Sequence, residues 1–329
     1  MYVAAMLLAT GAVAQVNVKV QDDRIRIDIQ GQPHTDFFIK GDGVTKPYLW
    51  PLRSASGKIL TRSFPMETPP GEPHDHPHHR GLWFAHESVN GVDFWNNDAS
   101  YTAPPPRGRI VFEKVTKVGG GAFARVGVNL AWVDPDGHKL IEETRIMEFH
   151  RTATLRIIDL DIALAPVTKV VFGDAKDGTL GIRLNPLLQE DKTIKEGGTT
   201  WTVPGAPGFI VSADGAMHEK AVWGKPSNWV DYSGEIDGEK LGIAVLDHPA
   251  NSRRARWHVR AYGLFAANPF GDAVFTNDKS HDGSVTLDPA TDPRALLRFR
   301  YRVVIHPGDS ASAGIGKMWD DFSKDIKIP

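Results

Sequence analysis

Cysteine is absent from this chain of 329 residues. That excludes disulfides, thiolate metal ligands and a cysteine nucleophile, and leaves the compartment open. Net charge is scarce as well: 38 basic against 40 acidic residues give −2, with no long basic block. Nucleic acid and an anionic membrane surface are therefore not its expected partners. No apolar run is long enough to span a bilayer. A phosphate-binding P-loop, a dinucleotide fingerprint and the G-x-S-x-G elbow are all missing. Glu142 and Glu143 adjoin in a strand pattern, so their carboxylates face opposite ways and cannot work as an acid–base pair.

What is present is strand alternation. Residues 16–20 and 24–29 alternate apolar and polar side chains, with Gly31 behind them. Short strand candidates follow at 36–40, 48–53, 82–87 and 92–95. Longer ones come at 109–118, 123–133, 140–149 and 158–164, then 179–184, 241–246 and 256–259. The clearest is 297–305, where Arg298, Arg300 and Arg302 alternate with apolar residues and form a solvated face or, alternatively, one that meets a sugar or carboxylate. No helix-length segment separates the strands, which is the signature of an antiparallel meander. Only the tail has helical period: Ile315, Trp319, Phe322 and Ile326 share a face, with Asp309 or Ser310 as cap. The reading is all-β: one large antiparallel β-sandwich over residues 15–329, closed by a C-terminal helix. Residues 1–14 end in Ala12-Val13-Ala14 and read as the remnant of a secretory signal, which places the protein in the periplasm or outside the cell.

Five of the thirteen histidines fall within residues 71–87, GEPHDHPHHRGLWFAHE. Imidazole is the commonest metal ligand and proton-transfer group near neutral pH. In extended chain His76 and His78 point the same way and His79 the other. The His-x-His spacing suits two ligands on one divalent ion, with further ligands from distant residues or water. The candidate metal set is His76, His78 and His248. Arg80 is a candidate for holding a substrate hydroxyl or carboxylate; its plainer role is an ion pair with Asp75 or Glu72.

A second group follows the apolar strand 241–246: Asp247-His248-Pro249, then Trp257-His258 and the block from Tyr262 to Gly271. Aromatic faces stack on sugar C–H surfaces, and amides and acids bind hydroxyls. The candidate catalytic residues are His76, His79, Asp247 and His248; the candidate substrate contacts are Arg80, Trp83, His258 and Asn268. Both groups combine histidine with Pro-marked strand ends, so they are expected to meet across one cleft. Residues 172–179 carry acids and a lysine but read as a turn, without the EF-hand pattern.

The segments His76-Pro-His-His-Arg-Gly-Leu-Trp83, Asn90-Gly-Val-Asp-Phe-Trp95, Leu246-Asp-His-Pro249, Trp257-His-Val-Arg260 and Tyr262-Gly-Leu-Phe-Ala-Ala-Asn-Pro-Phe-Gly271 together resemble the PmoA-like family of bacterial proteins. The resemblance covers nearly the whole chain after residue 14. It implies a secreted β-sandwich of the kind found in polysaccharide-degrading bacteria, with an architecture similar to the galactose-mutarotase supersandwich. The methane monooxygenase in the family label does not carry over, since this chain has no span-length apolar segment. The expected partner is a carbohydrate or another small molecule, and the expected function an enzyme acting on it as hydrolase, lyase or epimerase. A sugar-binding module without chemistry and a metal-dependent oxygenase are the alternatives.

Overall fold

The computed structural model describes residues 15–196 and 198–325. The signal-like segment 1–14 and Ile326 lie outside the described residues. Two eight-stranded antiparallel sheets make up the body. The front sheet runs, in spatial order, through Val16–Val20, Arg24–Ile29, Gln32–Phe38, Tyr48–Trp50, Leu82–His86, Gly178–Arg183, Leu264–Asn268 and Arg256–Val259. The back sheet runs through Phe209–Ser212, Trp229–Ile236, Glu239–Asp247, Leu297–Pro307, Arg156–Pro166, Lys139–Arg151, Ala124–Val133 and Arg109–Gly119. The fold is an all-β sandwich, as the alternation implies, and among the described residues no helix could cross a membrane.

One apolar cluster joins the inner faces of both sheets. Phe84 of the front sheet meets Trp132 and Phe299 of the back sheet at ring separations of 6.3 and 6.1 Å. Because side chains alternate along a strand, Phe84 facing inward turns Trp83 outward. The ladder registers extend that outward row across the front sheet: Arg24, Phe38, Tyr48, Trp83, Gly181, Ala266 and His258 lie side by side. Trp83 and His258 thus share a face, three strand steps apart. That face is not bare. Trp83 is fully buried, covered by the loops that carry His79 and Trp95. Gly181 is required beneath them: a Cβ there would come within 2.6 Å of the Trp83 ring and 2.7 Å of the Trp95 ring.

Three expectations need correction. Residues 92–95 are no continuous strand: Val92 and Asp93 make isolated bridges to Val89 and Arg107, and the chain then bends around the Asp93 carboxylate, which accepts from the Trp95 and Asn96 amides at 2.8 Å each. The C-terminal helix, Ile315–Ser323, starts after Gly314 without a side-chain cap; Asp309 instead closes the preceding turn on the Ser312 amide at 2.8 Å. The arginine face of Leu297–Pro307 is ion-paired rather than merely solvated, with Arg302 bound to Asp159 at 2.7 and 2.8 Å.

Glu142 and Glu143 do face opposite ways. Glu142 is exposed, while Glu143 is buried and accepts from Trp132 Nε1 at 2.8 Å and Arg145 Nε at 2.6 Å. Removing one partner of a buried pair strands the other charge. Glu143→Ala should therefore cost about 3–5 kcal/mol in urea unfolding, whereas Glu142→Ala should stay within about 0.5 kcal/mol of the parent.

Candidate functional site

The histidine block is built on the outward face of the front sheet, where Leu82–His86 begins and Gly178–Arg183 ends. Its anchor is Arg62, fully buried. The Arg62 guanidinium donates to the carbonyls of Phe64 at 3.1 Å and His76 at 3.0 Å, and to Asp75 Oδ1 at 2.5 Å. Arg183, 1% exposed, reaches the same carboxylate at 3.0 and 3.2 Å. The other Asp75 oxygen takes the Nδ1–H of His76. Asp75 therefore orients one imidazole while neutralising only one of two buried guanidinium charges.

The rings stack into a column. His76 lies parallel to His79 at 4.8 Å and to Tyr262 at 5.6 Å, and His79 lies over Trp83 at 5.1 Å. His76 adopts a positive φ of 47° and is the most accessible of the three, its side chain 41% exposed. His78 hydrogen-bonds the Tyr101 hydroxyl at 3.0 Å. Arg183 Nη1 lies 3.4 Å from His79 Nδ1. A guanidinium only donates, so that nitrogen is the acceptor and the His79 proton sits on Nε2.

Burial, reinforced by the charges of Lys46, His76, Arg62 and Arg183, holds His78 far below the usual imidazole range. Burial, then the charges of His78 and Arg183, does the same to His79. Burial by itself would raise the Asp75 pKa; the His76 hydrogen bond and the two arginine charges outweigh it and keep the carboxyl ionised. Burial, followed by the charge of Arg80, pushes the Lys46 ammonium down to about 7. Lys46 donates to the Trp95 carbonyl at 2.8 Å and to Asn97 Oδ1 at 2.5 Å.

His76, His78 and His79 thus come together with Trp83 beneath them, and Arg80 borders them. Arg80 pairs with Asp98 at 3.5 Å, not with Asp75 or Glu72. Of the second group Tyr262 joins the column, but Asp247, His248, His258 and Asn268 do not. Tyr262 precedes the strand Leu264–Asn268 at the histidine end, and Asn268 closes that strand at the opposite end, paired with Arg256. Asp247 lies at that far end too, its carboxylate taken by Arg254 Nε at 2.6 Å, Asn251 Nδ2 at 2.7 Å and the Ala255 amide at 3.1 Å. His248 next to it packs edge-on against Phe322 of the C-terminal helix at 4.8 Å. The Asn268 amide clamps the carbonyls of Ala175 and Lys176 at 2.7 and 2.8 Å, a turn support with no free donor. His258 shares the outward face but sits 3.4 Å from Asp177, with its ring against Trp223 and Phe275; burial pushes its pKa down to about 4. Trp83 is a platform for His79, not a surface a ligand can touch.

The metal set His76, His78 and His248 does not fit, because His248 stands at the other end of the sandwich. Among the described residues, three ligand atoms converge within 4.8 Å only at Asp134, Asp136 and His138, and at Glu148, His150 and Asp159. In the first group Asp134 is closing a turn on the His138 and Asp136 amides at 2.8 and 3.0 Å. In the second, both carboxylates are already ion-paired, with Arg125 and Arg302. A cation would face two guanidinium groups there.

Arg62, Arg183, Asp75, Tyr101, Tyr262 and Lys46 were not singled out as site residues from sequence. One signal was available: Arg183 lies within the apolar strand candidate 179–184, and a charge in such a strand must be paired inside.

The sequence profile of DUF6807, a family of unknown function, matches residues 24–320. The chain belongs to this family. The matched stretch contains the whole histidine block and nearly all of both sheets of this DUF6807 protein. No curated protein matches it significantly.

The neutral histidines set a pH dependence. An unfolded histidine titrates near ~6.5, whereas folded His78 and His79 titrate lower. Below ~6.5 the unfolded chain binds more protons, so stability is full above that value and falls on acidification. Each such histidine contributes a slope approaching about 1.4 kcal/mol per pH unit. His79→Phe should remove about that slope between roughly pH 6 and 5, read from urea transitions at stepped pH; an unchanged slope would mean that His79 protonates in the folded state.

Proposed function

We propose that this DUF6807 protein is a carbohydrate-acting enzyme, a lyase or epimerase that uses Asp75 and His76 for proton transfer. The observation that carries the reading is the Asp75 carboxylate on His76 Nδ1, flanked by two buried arginines. Accepting from Nδ1–H leaves Nε2 of the exposed imidazole as the basic nitrogen. Hydrolysis in the usual glycosidase manner needs a pair of carboxyl groups astride the bond. Here the single carboxylate is consumed by two guanidinium groups and an imidazole.

The excess positive charge suits a different step. His76 Nε2 takes a proton from a carbon next to a carbonyl or carboxylate of the sugar. The C–H electron pair moves into an enolate, whose oxygen is stabilised by the Arg183 and Arg62 charges. The enolate then expels a group from the neighbouring carbon, which leaves with the proton held by His76, giving elimination; or water protonates the carbon on the other face and His76 returns its proton to solvent, giving epimerisation. His79 and Tyr262 stack on His76, so the sugar would meet the accessible edge of the His76 ring, whose side chain is 41% exposed. The resemblance of the histidine and Tyr262 blocks to the PmoA-like family supports a carbohydrate ligand and a secreted protein.

The test is turnover of uronosides and oxidised glycosides by purified protein. His76→Ala should lower the rate by ~10²–10⁴-fold with an unchanged circular dichroism spectrum. His248→Ala should leave the rate unchanged, and a chelator should not inhibit. Absence of turnover in the parent, together with sugar affinity that survives His76→Ala, would favour a binding module and overturn the proposal.

A further inference from the structure

A recess lies away from the histidine block, where the strand Gln32–Phe38, the excursion at residues 53–57 and the start of Arg156–Pro166 meet. It encloses about 430 Å³ and is lined by His34, Arg53, Ser54, Ser56 and Arg156 among others. We infer that this recess binds an oxyanion, a sulfate or phosphate group, through His34, Arg53 and Arg156.

Three observations carry the assignment. His34 is only 2% exposed, yet neither ring nitrogen has a hydrogen-bond partner. The Arg53 carbonyl lies near enough to favour its protonated form slightly, without hydrogen-bond geometry. A buried imidazole left without partners is costly, and one lining a recess is placed to bond whatever enters it.

The two arginines lack a contact ion pair. Among the described residues, neither Arg53 nor Arg156 has a carboxylate within ion-pair distance, although most arginines of this chain do. Arg156 donates only to the Thr152 and Leu155 carbonyls, at 3.2 and 2.9 Å through one nitrogen. Arg151 adds its charge to Arg156 and has a buried Nε without partner. The acids whose charge reaches Arg53 are Asp36 and Glu67, neither within ion-pair distance of it; Asp36 is paired with Arg24 and Arg26.

The charges also act on one another at this point. The Arg156 and Arg53 charges, after burial, hold His34 down to about 3, in keeping with all three residues lining one recess. Three donors from three chain segments with no carboxylate in contact are the elements of an oxyanion site. Water alone would satisfy the imidazole but leave the arginine charges uncompensated.

The experiment is isothermal titration of the full chain with sodium sulfate and sodium phosphate at constant ionic strength, against sodium chloride. Glucose 6-sulfate and glucose 6-phosphate are run in parallel. The expected result is saturable one-site binding of sulfate or phosphate. Arg53→Met, in a half-buried position, should weaken it at least about tenfold, a typical loss for a charge-assisted bond. His34→Phe should weaken it too, while Arg26→Met, whose partner is Asp36, should not. Tighter binding of the sugar ester than of the free ion would make the anion a substituent of a sugar; equal binding would make it a free ion. The inference is overturned if none of the four probes binds saturably, or if folded Arg53→Met and His34→Phe both retain parental affinity. Neither outcome bears on turnover at His76, so this inference and the proposed function can fail separately.

Discussion

The guanidinium of Arg62 is the constraint on which the histidine site depends. It has no solvent access and meets the chain at Phe64, Asp75 and His76. A charge so placed must be satisfied locally, and the loop bends around it to do so. The left-handed turn at His76 and the stacking of His76 on His79 follow from that closure. Burial, then the charge of Arg183, brings Arg62 itself down to about 9, and Asp75 acts against that fall. The pair of arginines is tolerable only because Asp75 stands between them.

The sheet contributes the other half of the site. Alternation along Leu82–His86 sends Phe84 into the core and Trp83 outward, so one strand both stabilises the sandwich and floors the histidine column. Gly181 and Ala266, next in the outward row, have no bulk to displace the two indoles. The chemistry is thus mounted on rigid strands, while the reactive imidazole stays on a loop where a ligand can reach it.

Much of the architecture was legible because the strands alternate cleanly. Arg24–Ile29 and Leu297–Pro307 follow the pattern that half-buried strands require. Trp229–Ile236 escaped notice because polar residues interrupt its apolar run; Asp231 is buried there, bonded to His306 at 2.8 Å. The histidine cluster was legible as density of one residue type. Its partners were not, since Arg62 and Arg183 approach Asp75 from 13 and 108 residues away. The union of His76 with His248 failed for a geometric reason. Antiparallel strands run in opposite directions, so two histidines beside strand ends have equal licence to lie at opposite ends of a sandwich. Asp247 and Asn268 look reactive by type, yet each is saturated by backbone and side-chain partners that only the folded chain reveals.

The excursion between the front-sheet strands Tyr48–Trp50 and Leu82–His86 places Arg53 at the recess beside His34 and Arg62 beneath the histidine block. It is pinned along its length by the Arg53–Ile59 bridge, the Leu60 amide on the Leu52 carbonyl at 2.9 Å and Trp50 Nε1 on the Arg62 carbonyl at 3.0 Å. A one-residue slip in paired, extended chain turns every following side chain to the other face. Loss or gain of a single residue between 53 and 62 would therefore swing Arg62 away from Asp75, whatever residue types were kept. Ordinary surface loops vary freely in length; this one is held to a fixed count, like the spacing between teeth on a key.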